Sequence, residues 1–232
     1  MKRKNRVFLM DGDALIVPQK RLAWILDQIR EHIPRVEKVG SYANAKSIKM
    51  KSLEELIELK RKGLGIFYLG VETGDDEILK KVCKGSNTQT LIKMGRKVRE
   101  AGIKLSVTVL LGIAGRDGSL KHARLTGELL SAMDPNYVGA LTVMLRSGTP
   151  LHREYVNGEF ELLTEKELLP ELREMLAHTN LSRGLFFSNH ASNYFSVQGR
   201  LPHDRQSLLD QLDRVLENRD VSQLRPESQR GL

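Results

Sequence analysis

Residues 66–77 read IFYLGVETGDDE. Ile66 to Val71 is a continuous apolar run led by β-branched and aromatic side chains, the composition of a parallel strand covered on both faces. Alternation puts Phe67, Leu69 and Val71 on one face and Tyr68, Gly70 and Glu72 on the other. With the first face under helices, Gly70 and Glu72 point into a barrel mouth or crevice. A carboxylate at the C-terminal end of a parallel strand, preceded on its own face by a glycine that admits close approach, stands where α/β folds bind ligands. The same glutamate would serve equally to cap the following helix or to pair with a surface lysine, and spacing leaves both readings open.

Outward from this strand, the chain alternates strand and helix. Upstream, Arg6 to Met10 is an apolar strand that ends in the turn Asp11-Gly12-Asp13. A helix follows from Arg21 to His32 with Leu22, Ile25, Leu26 and Ile29 at helical spacing, and Pro34 stops it. Trp24 and the helix leucines are assigned to the core. Val39 to Ala45 is a second strand. Ser52 caps the next helix with Glu55 at capping-box distance, and Gly63 ends it. Downstream, Asp75 or Asp76 opens a short helix that Lys84-Gly85 breaks. Cys83 falls with Ile78, Leu79 and Val82 at helical spacing and reads as a small buried or half-buried hydrophobe.

Thr88 to Ala101 is the next helix, Ile103 to Leu111 the fourth strand, and Gly112 to Gly118 (GIAGRDG) a glycine-rich loop whose amides suit an anion or an adenine edge. A helix over Ser119–Met133, a fifth strand over Asn136–Arg146 and a helix over Leu162–Thr179 follow. LFFSNHASNY then starts as a strand and turns polar. Arg205 to Leu216 is a last amphipathic helix, and the remainder reads as a polar, poorly ordered tail. Five such units predict an α/β fold, a parallel sheet wound right-handed with helices outside.

Composition narrows the class. The chain has 232 residues, 40% hydrophobic and 28% charged, ordinary usage for one α/β domain. No apolar segment approaches the roughly 20 residues of a membrane helix, so no membrane partner is expected and the location predicted is cytoplasmic. A single cysteine excludes an internal disulfide and a thiolate metal cage. The net charge of +8 is compatible with nucleic acid, but lysines interleaved with glutamates on solvated helix faces account for most of it.

The polar residues at strand ends form a constellation. Asp11 and Asp13 end the first strand, Asn44 the second, Glu72 the third, Thr108 to Gly112 the fourth and Arg146 the fifth. In a parallel sheet these ends share one rim. Carboxylates there suit the amine and ribose hydroxyls of a nucleoside-like ligand.

DGDALIVP after the first strand, the SYANA strand, YLGVETGDDEILKKVCKG, SVTVLLGIAG, GALTVMLRSGTPL and SNHASNY together resemble the radical S-adenosylmethionine superfamily. The chain looks most like the enzymes grouped with oxygen-independent coproporphyrinogen oxidases and elongator-type proteins. The resemblance runs from about Val7 to Leu216. It implies a partial, open TIM-like barrel of parallel strands with outer helices, whose first strand is missing here, plus a C-terminal helical extension. The divisions expected are 1–150 for the barrel, 151–217 for the extension and 218–232 for the polar tail. It implies S-adenosylmethionine and a 4Fe-4S cluster as cofactors, and hydrogen abstraction from a small-molecule or unknown substrate.

Carried over by position, Asp11-Gly12-Asp13 stands where the family's Gly-Gly-Glu turn binds the methionine amino group, with the first glycine and the final glutamate replaced. Glu72 matches the ribose contact. Thr108, Leu110, Gly112 and Gly115 fall on the adenine-side spacing, and two of the four depart from it. Asn44 stands at a cofactor-contacting strand end. Arg146, Asn189 and His190 are assigned to substrate. The family's CxxxCxxC is absent from this sequence, and Cys83 cannot replace it, because a cluster needs three protein thiolates. The expectation is the C-terminal part of an enzyme core, inactive as this chain alone. The alternatives are a non-catalytic ligand-binding barrel and, setting the family aside, a divalent-metal barrel using Asp11, Asp13 and Glu72.

Overall fold

The computed structural model describes residues 5–33, 35–218 and 224–231. Its elements are β1 (Asn5–Leu9), a 3-10 turn (Ala14–Ile16), α1 (Gln19–His32), β2 (Val36–Tyr42), α2 (Ala45–Met50), α3 (Leu53–Arg61), β3 (Leu64–Glu72), α4 (Asp76–Lys81) and α5 (Thr88–Glu100). There follow β4 (Lys104–Leu111), α6 (Gly115–Met133), β5 (Tyr137–Thr142), α7 (Pro150–Val156), α8 (Glu165–His178), β6 (Gly184–Phe187), β7 (Gln198–Leu201) and α9 (Arg205–Asn218). The seven strands lie in the sheet in chain order. β1 pairs parallel with β2, β2 with β3 and β5 with β6, whereas β6 and β7 are antiparallel. This is the α/β, mostly parallel sheet that the alternation of strand and helix predicts.

The alternation in β3 is realised from Phe67 onward, whereas Leu64 and Ile66, on the face of Tyr68, are also buried. Phe67, Leu69 and Val71 are buried, Tyr68 is 36% exposed, and Gly70 and Glu72 are intermediate. The buried face is covered by apolar side chains while the other stays open, which is the arrangement that makes Glu72 reachable. Ser52 caps α3 and exchanges hydrogen bonds with Glu55 in a full capping box. No helix among the described residues is long and apolar enough to cross a membrane.

Compactness divides the chain into two units, residues 1–70 with 89–107, and residues 71–88 with 108–232. Residues 151–217 fall in the second unit. In the first unit Leu22, Leu26, Val39, Ile48, Leu56, Leu59 and Phe67 form the core. In the second, α6 lies against α8 so closely that a Cβ on Gly127 would stand 2.6 Å from the Met175 carbonyl oxygen.

Several expectations are corrected. Trp24 is 59% exposed, because α1 buries the Leu22–Leu26 side and position 24 lies off that stripe. Cys83 is exposed: α4 stops at Lys81, and Cys83 takes φ 54°, which turns it away from the helical spacing it continues in sequence. The glycine-rich loop shrinks, since Gly115 to Gly118 already form the first turn of α6. Two further short helices, α2 and α7, and the strand β7 appear where no element was expected.

Nor do residues 224–231 form an unanchored tail. Leu224 is buried, Arg225 donates to the carbonyls of His190 and Asn193, and Arg230 donates to the Ser192 carbonyl while lying 4.1 Å over the Tyr194 ring. Arginines that look solvated by composition here satisfy the carbonyls of a loop.

Candidate cofactor and substrate site

In the first unit the turn after β1 is built on two successive left-handed residues, Asp11 at φ 70° and Gly12 at φ 65°. They let the Asp13 amide fold back onto the Asp11 carbonyl at 2.5 Å. Asp13 then caps the following 3-10 turn, its Oδ1 accepting from the Leu15 amide at 3.1 Å. Its Oδ2 is buried and has no hydrogen-bond partner among the described residues. Asp11 and Gly12 are exposed. An acceptor desolvated without a donor is costly, and an ammonium or hydroxyl group of a ligand is what would satisfy it.

Asn44 has a local task instead. It is the N-cap of α2: its Oδ1 accepts from the Ser47 amide at 2.9 Å, and the Ser47 hydroxyl returns the bond, completing a capping box. On the neighbouring strands Phe8, Tyr42 and Tyr68 form an aromatic cluster with centroid separations of 4.9, 5.6 and 6.2 Å. Tyr42 and Tyr68 are 46% and 36% exposed. The face of Tyr68 was legible; that three aromatics meet was not, because register sets it.

In the second unit Glu72 ends β3 at φ 68°, a conformation a non-glycine residue adopts only under constraint. Its Oε1 stands 2.8 Å from the Lys84 ammonium, and both side chains are about a quarter exposed (21% and 24%). Of the two roles open to it, pairing with a lysine is therefore realised, while capping of α4 falls to Asp75. The pair presents an acceptor and a donor side by side. Lys84 was read as part of the helix break.

Behind Glu72 lies a buried network. His122 is fully buried, with Nε2 3.1 Å from the Leu110 carbonyl and Nδ1 2.7 Å from the Thr73 hydroxyl. A carbonyl can only accept, so Nε2 carries the proton and Nδ1 accepts from Thr73. Burial pushes the ring down to about 4, leaving it neutral. Glu171, from α8, accepts from the Gly112 amide at 2.6 Å and bonds to the Ser119 hydroxyl. Burial pushes its carboxyl up to about 7, against both of those hydrogen bonds. His122 Nε2 is 3.6 Å from Glu171 Oε1, but a neutral ring makes this a contact of dipoles and not an ion pair.

This network pins the C-terminal end of β4. Thr108 and Leu110 stay half-buried on the open face, while Gly112 is buried, with φ 78° and its amide consumed by Glu171. The Gly112 amide is thus unavailable to a ligand, and Gly112 acts through backbone shape. Gly115, at φ 70°, opens α6 against Phe160. Neither His122 nor Glu171 had been singled out. Glu171 sits among Leu168, Leu169, Leu172 and Met175 on the buried stripe of α8, and a carboxylate on an apolar stripe was the available signal.

Arg146 is exposed in the segment after β5; its carbonyl accepts from the Thr149 amide and hydroxyl, and its guanidinium has no partner among the described residues. Asn189 is exposed and reaches Gln198 Oε1 at 3.4 Å. His190 Nδ1 accepts from the Ser192 amide at 3.1 Å, which leaves the proton on Nε2. In SNHASN the buried residues are Ser188, Ser192 and Asn193, the last bonding the Ala140 and Ser188 carbonyls and the Thr142 hydroxyl. This motif braces a loop against β5. No hydrogen bond or ion pair among the described residues joins Arg146 to Asn189 or His190.

The donor set does not fit a 4Fe-4S cluster. The sequence has one cysteine, exposed at Cys83. Among the described residues no three His, Cys, Asp or Glu side chains are grouped to hold a metal ion. The polar groups left to a ligand are the orphaned Asp13 oxygen in the first unit and, separately, the Glu72–Lys84 pair in the second.

The chain is 26% identical over 132 residues to an uncharacterized protein of Methanocaldococcus jannaschii, covering 56% of this chain and 40% of that one. It is 19% identical over 162 residues to the heme chaperone HemW of Bacillus subtilis, covering 69% and 42%. The chain thus spans less than half the length of these curated relatives. Its fold is similar to that of Methanocaldococcus infernus Elp3 with an N-terminal deletion, at TM-score 0.62 and 16% identity, covering 93% of this chain and 54% of that one. The family model described as the Radical SAM superfamily matches residues 1–125, more than half of the sequence, and the chain belongs to that superfamily.

Proposed function

We propose that this chain is a cofactor-binding part of a radical S-adenosylmethionine enzyme core, one that binds S-adenosylmethionine through its own residues but takes no cluster thiolates from them. The observation that carries the reading is Asp13 Oδ2, a buried carboxylate oxygen without a donor at the turn after β1. A cationic amine is the ligand group that best satisfies such an atom. In the second unit, taken by itself, Glu72 is an acceptor of the kind ribose hydroxyls need, Lys84 beside it is a donor for a carboxylate, and Thr108 and Leu110 lie half-buried on β4. When bound, the cofactor would supply the deoxyadenosyl group for hydrogen abstraction. The role of this chain in that chemistry is to hold and orient the molecule, and with a single cysteine it does not catalyse the reaction alone.

Calorimetric titration with S-adenosylmethionine tests this. Asp13→Asn keeps a carbonyl oxygen for the Leu15 amide but presents an NH2 where an amine is to bind. The wild-type chain binds, and the variant loses about ten- to a hundredfold in affinity, the worth of one charged hydrogen bond. Equal affinities would remove Asp13 from the site, and absence of wild-type binding would overturn the reading.

A further inference from the structure

The first unit carries a groove of about 900 Å³ between α2, the start of α3 and α5. None of its lining residues is among those proposed to hold the cofactor. On the α5 wall Gln89, Lys93, Arg96 and Glu100 recur at helical spacing and make one stripe. At 1.5 Å per residue the stripe runs about 16 Å, three turns of helix. Lys97 ties this wall to the facing one: its ammonium donates to the carbonyls of Ile48, at 3.3 Å, and Lys51 at the C-terminal end of α2.

The charge on the walls is one-sided. Among the residues that line the groove, Lys49, Lys93, Arg96 and Lys97 stand against a single carboxylate, Glu100. In the sequence the lysines around α3 interleave with glutamates that would neutralise them, but in the structure those glutamates have other partners. Glu55 accepts from the Ser52 amide at 2.7 Å, Glu54 from the Ser52 hydroxyl at 2.7 Å, and Glu58 from the Gln19 side-chain amide at 2.8 Å. Lys49 and Lys93 are exposed, with no ion-pair partner among the described residues.

Between the charges lies apolar surface. Leu53 and Ile92 are half-buried, and Met94 is buried at the base. No aromatic side chain lines the groove, so it offers nucleic-acid bases no stacking platform. An apolar floor with a cationic rim, three helical turns long, matches a helix whose apolar stripe is flanked by carboxylates. We propose that this groove docks an acidic amphipathic helix of a partner protein, its apolar side chains on Leu53, Ile92 and Met94 and its carboxylates toward Lys49, Lys93 and Arg96. The proposal does not depend on the binding of S-adenosylmethionine.

The probe is a fluorescein-labelled peptide of about twelve residues, with Leu along one helical stripe and Glu beside it, titrated with the whole chain and followed by anisotropy. It binds saturably and more weakly as salt is raised. The same peptide with Gln for Glu, or with Ser for Leu, binds at least about tenfold more weakly. Lys93→Glu with Arg96→Glu weakens the acidic peptide by about tenfold or more, and a peptide with Lys for Glu regains binding to that variant, which shows that it is folded. Lys20→Glu with Lys166→Glu makes the same change of charge at exposed positions off the groove and leaves the affinity unchanged. No binding of the acidic peptide, equal binding of its Gln version, or equal losses in the two double variants would overturn the proposal. So would an oligouridine of the same length that binds as tightly as the peptide and is lost in Lys93→Glu with Arg96→Glu, which would make the groove a nucleic-acid site.

Discussion

Glu171→Gln isolates one of two opposed titrations in the buried network at the end of β4. The Glu171 carboxyl is raised from 4.5 to about 7 by burial, so the folded state favours its protonated form. Its contribution to stability is complete below the unfolded value near 4.5 and is lost as pH rises through about 7. At about 1.4 kcal/mol per pH unit the loss is about 3 kcal/mol. His122 acts in the opposite sense. Its ring is lowered from 6.5 to about 4, so its contribution is complete above 6.5 and is lost as pH falls through about 4. Between 4.5 and 6.5 the two slopes cancel, and this network gives the wild-type chain no net pH dependence there. Glutamine can still accept from Gly112 but cannot titrate. In the variant the His122 slope is unmasked, and stability rises with pH up to 6.5. Urea unfolding followed by circular dichroism from pH 4.5 to 7.5 reads the difference between the two proteins. That difference shifts by about 3 kcal/mol in favour of the variant across the range. A difference independent of pH would refute the buried-carboxyl reasoning.

Two further substitutions test how the site is held. Glu72 stands at φ 68°, so Glu72→Gly and Glu72→Ala both lose the Lys84 pair, but only glycine relieves the left-handed backbone. The glycine variant unfolds about 1 kcal/mol later than the alanine variant in urea, and the reverse order would contradict a strained strand end. Gly127→Ala places a methyl 2.6 Å from the Met175 carbonyl and 2.7 Å from His178 Cβ, which forces α6 and α8 apart. It lowers stability by about 1–3 kcal/mol and speeds hydrogen exchange at the Gly112 amide that Glu171 holds; wild-type exchange there would disconnect the helix contact from the site.

What the sequence made legible follows from periodicity. The alternation of β3 from Phe67 to Val71 survives because one face must be covered whatever packs on it. Capping pairs such as Ser52 and Glu55 are similarly local. Assignments by residue type failed. Trp24 was placed inside for being tryptophan, though its position off the Leu22–Leu26 stripe argued otherwise. Cys83 was placed on a helix that the chain had already left. Asn44 also caps α2 and Asn193 also bonds the Ala140 and Ser188 carbonyls, needs invisible until turns and loops are in place. His122 and Glu171 stayed hidden because their partners, Leu110 and Gly112, are distant in sequence and engaged through backbone atoms.

The central claim is that these residues bind S-adenosylmethionine while providing no cluster. It is tested most directly by titrating the chain with S-adenosylmethionine before and after anaerobic treatment with iron and sulfide. Binding of equal affinity in both samples, with no iron-sulfur absorbance in the treated one, is the predicted result. Binding that appears only with a new chromophore after treatment, or no binding in either sample, would contradict it.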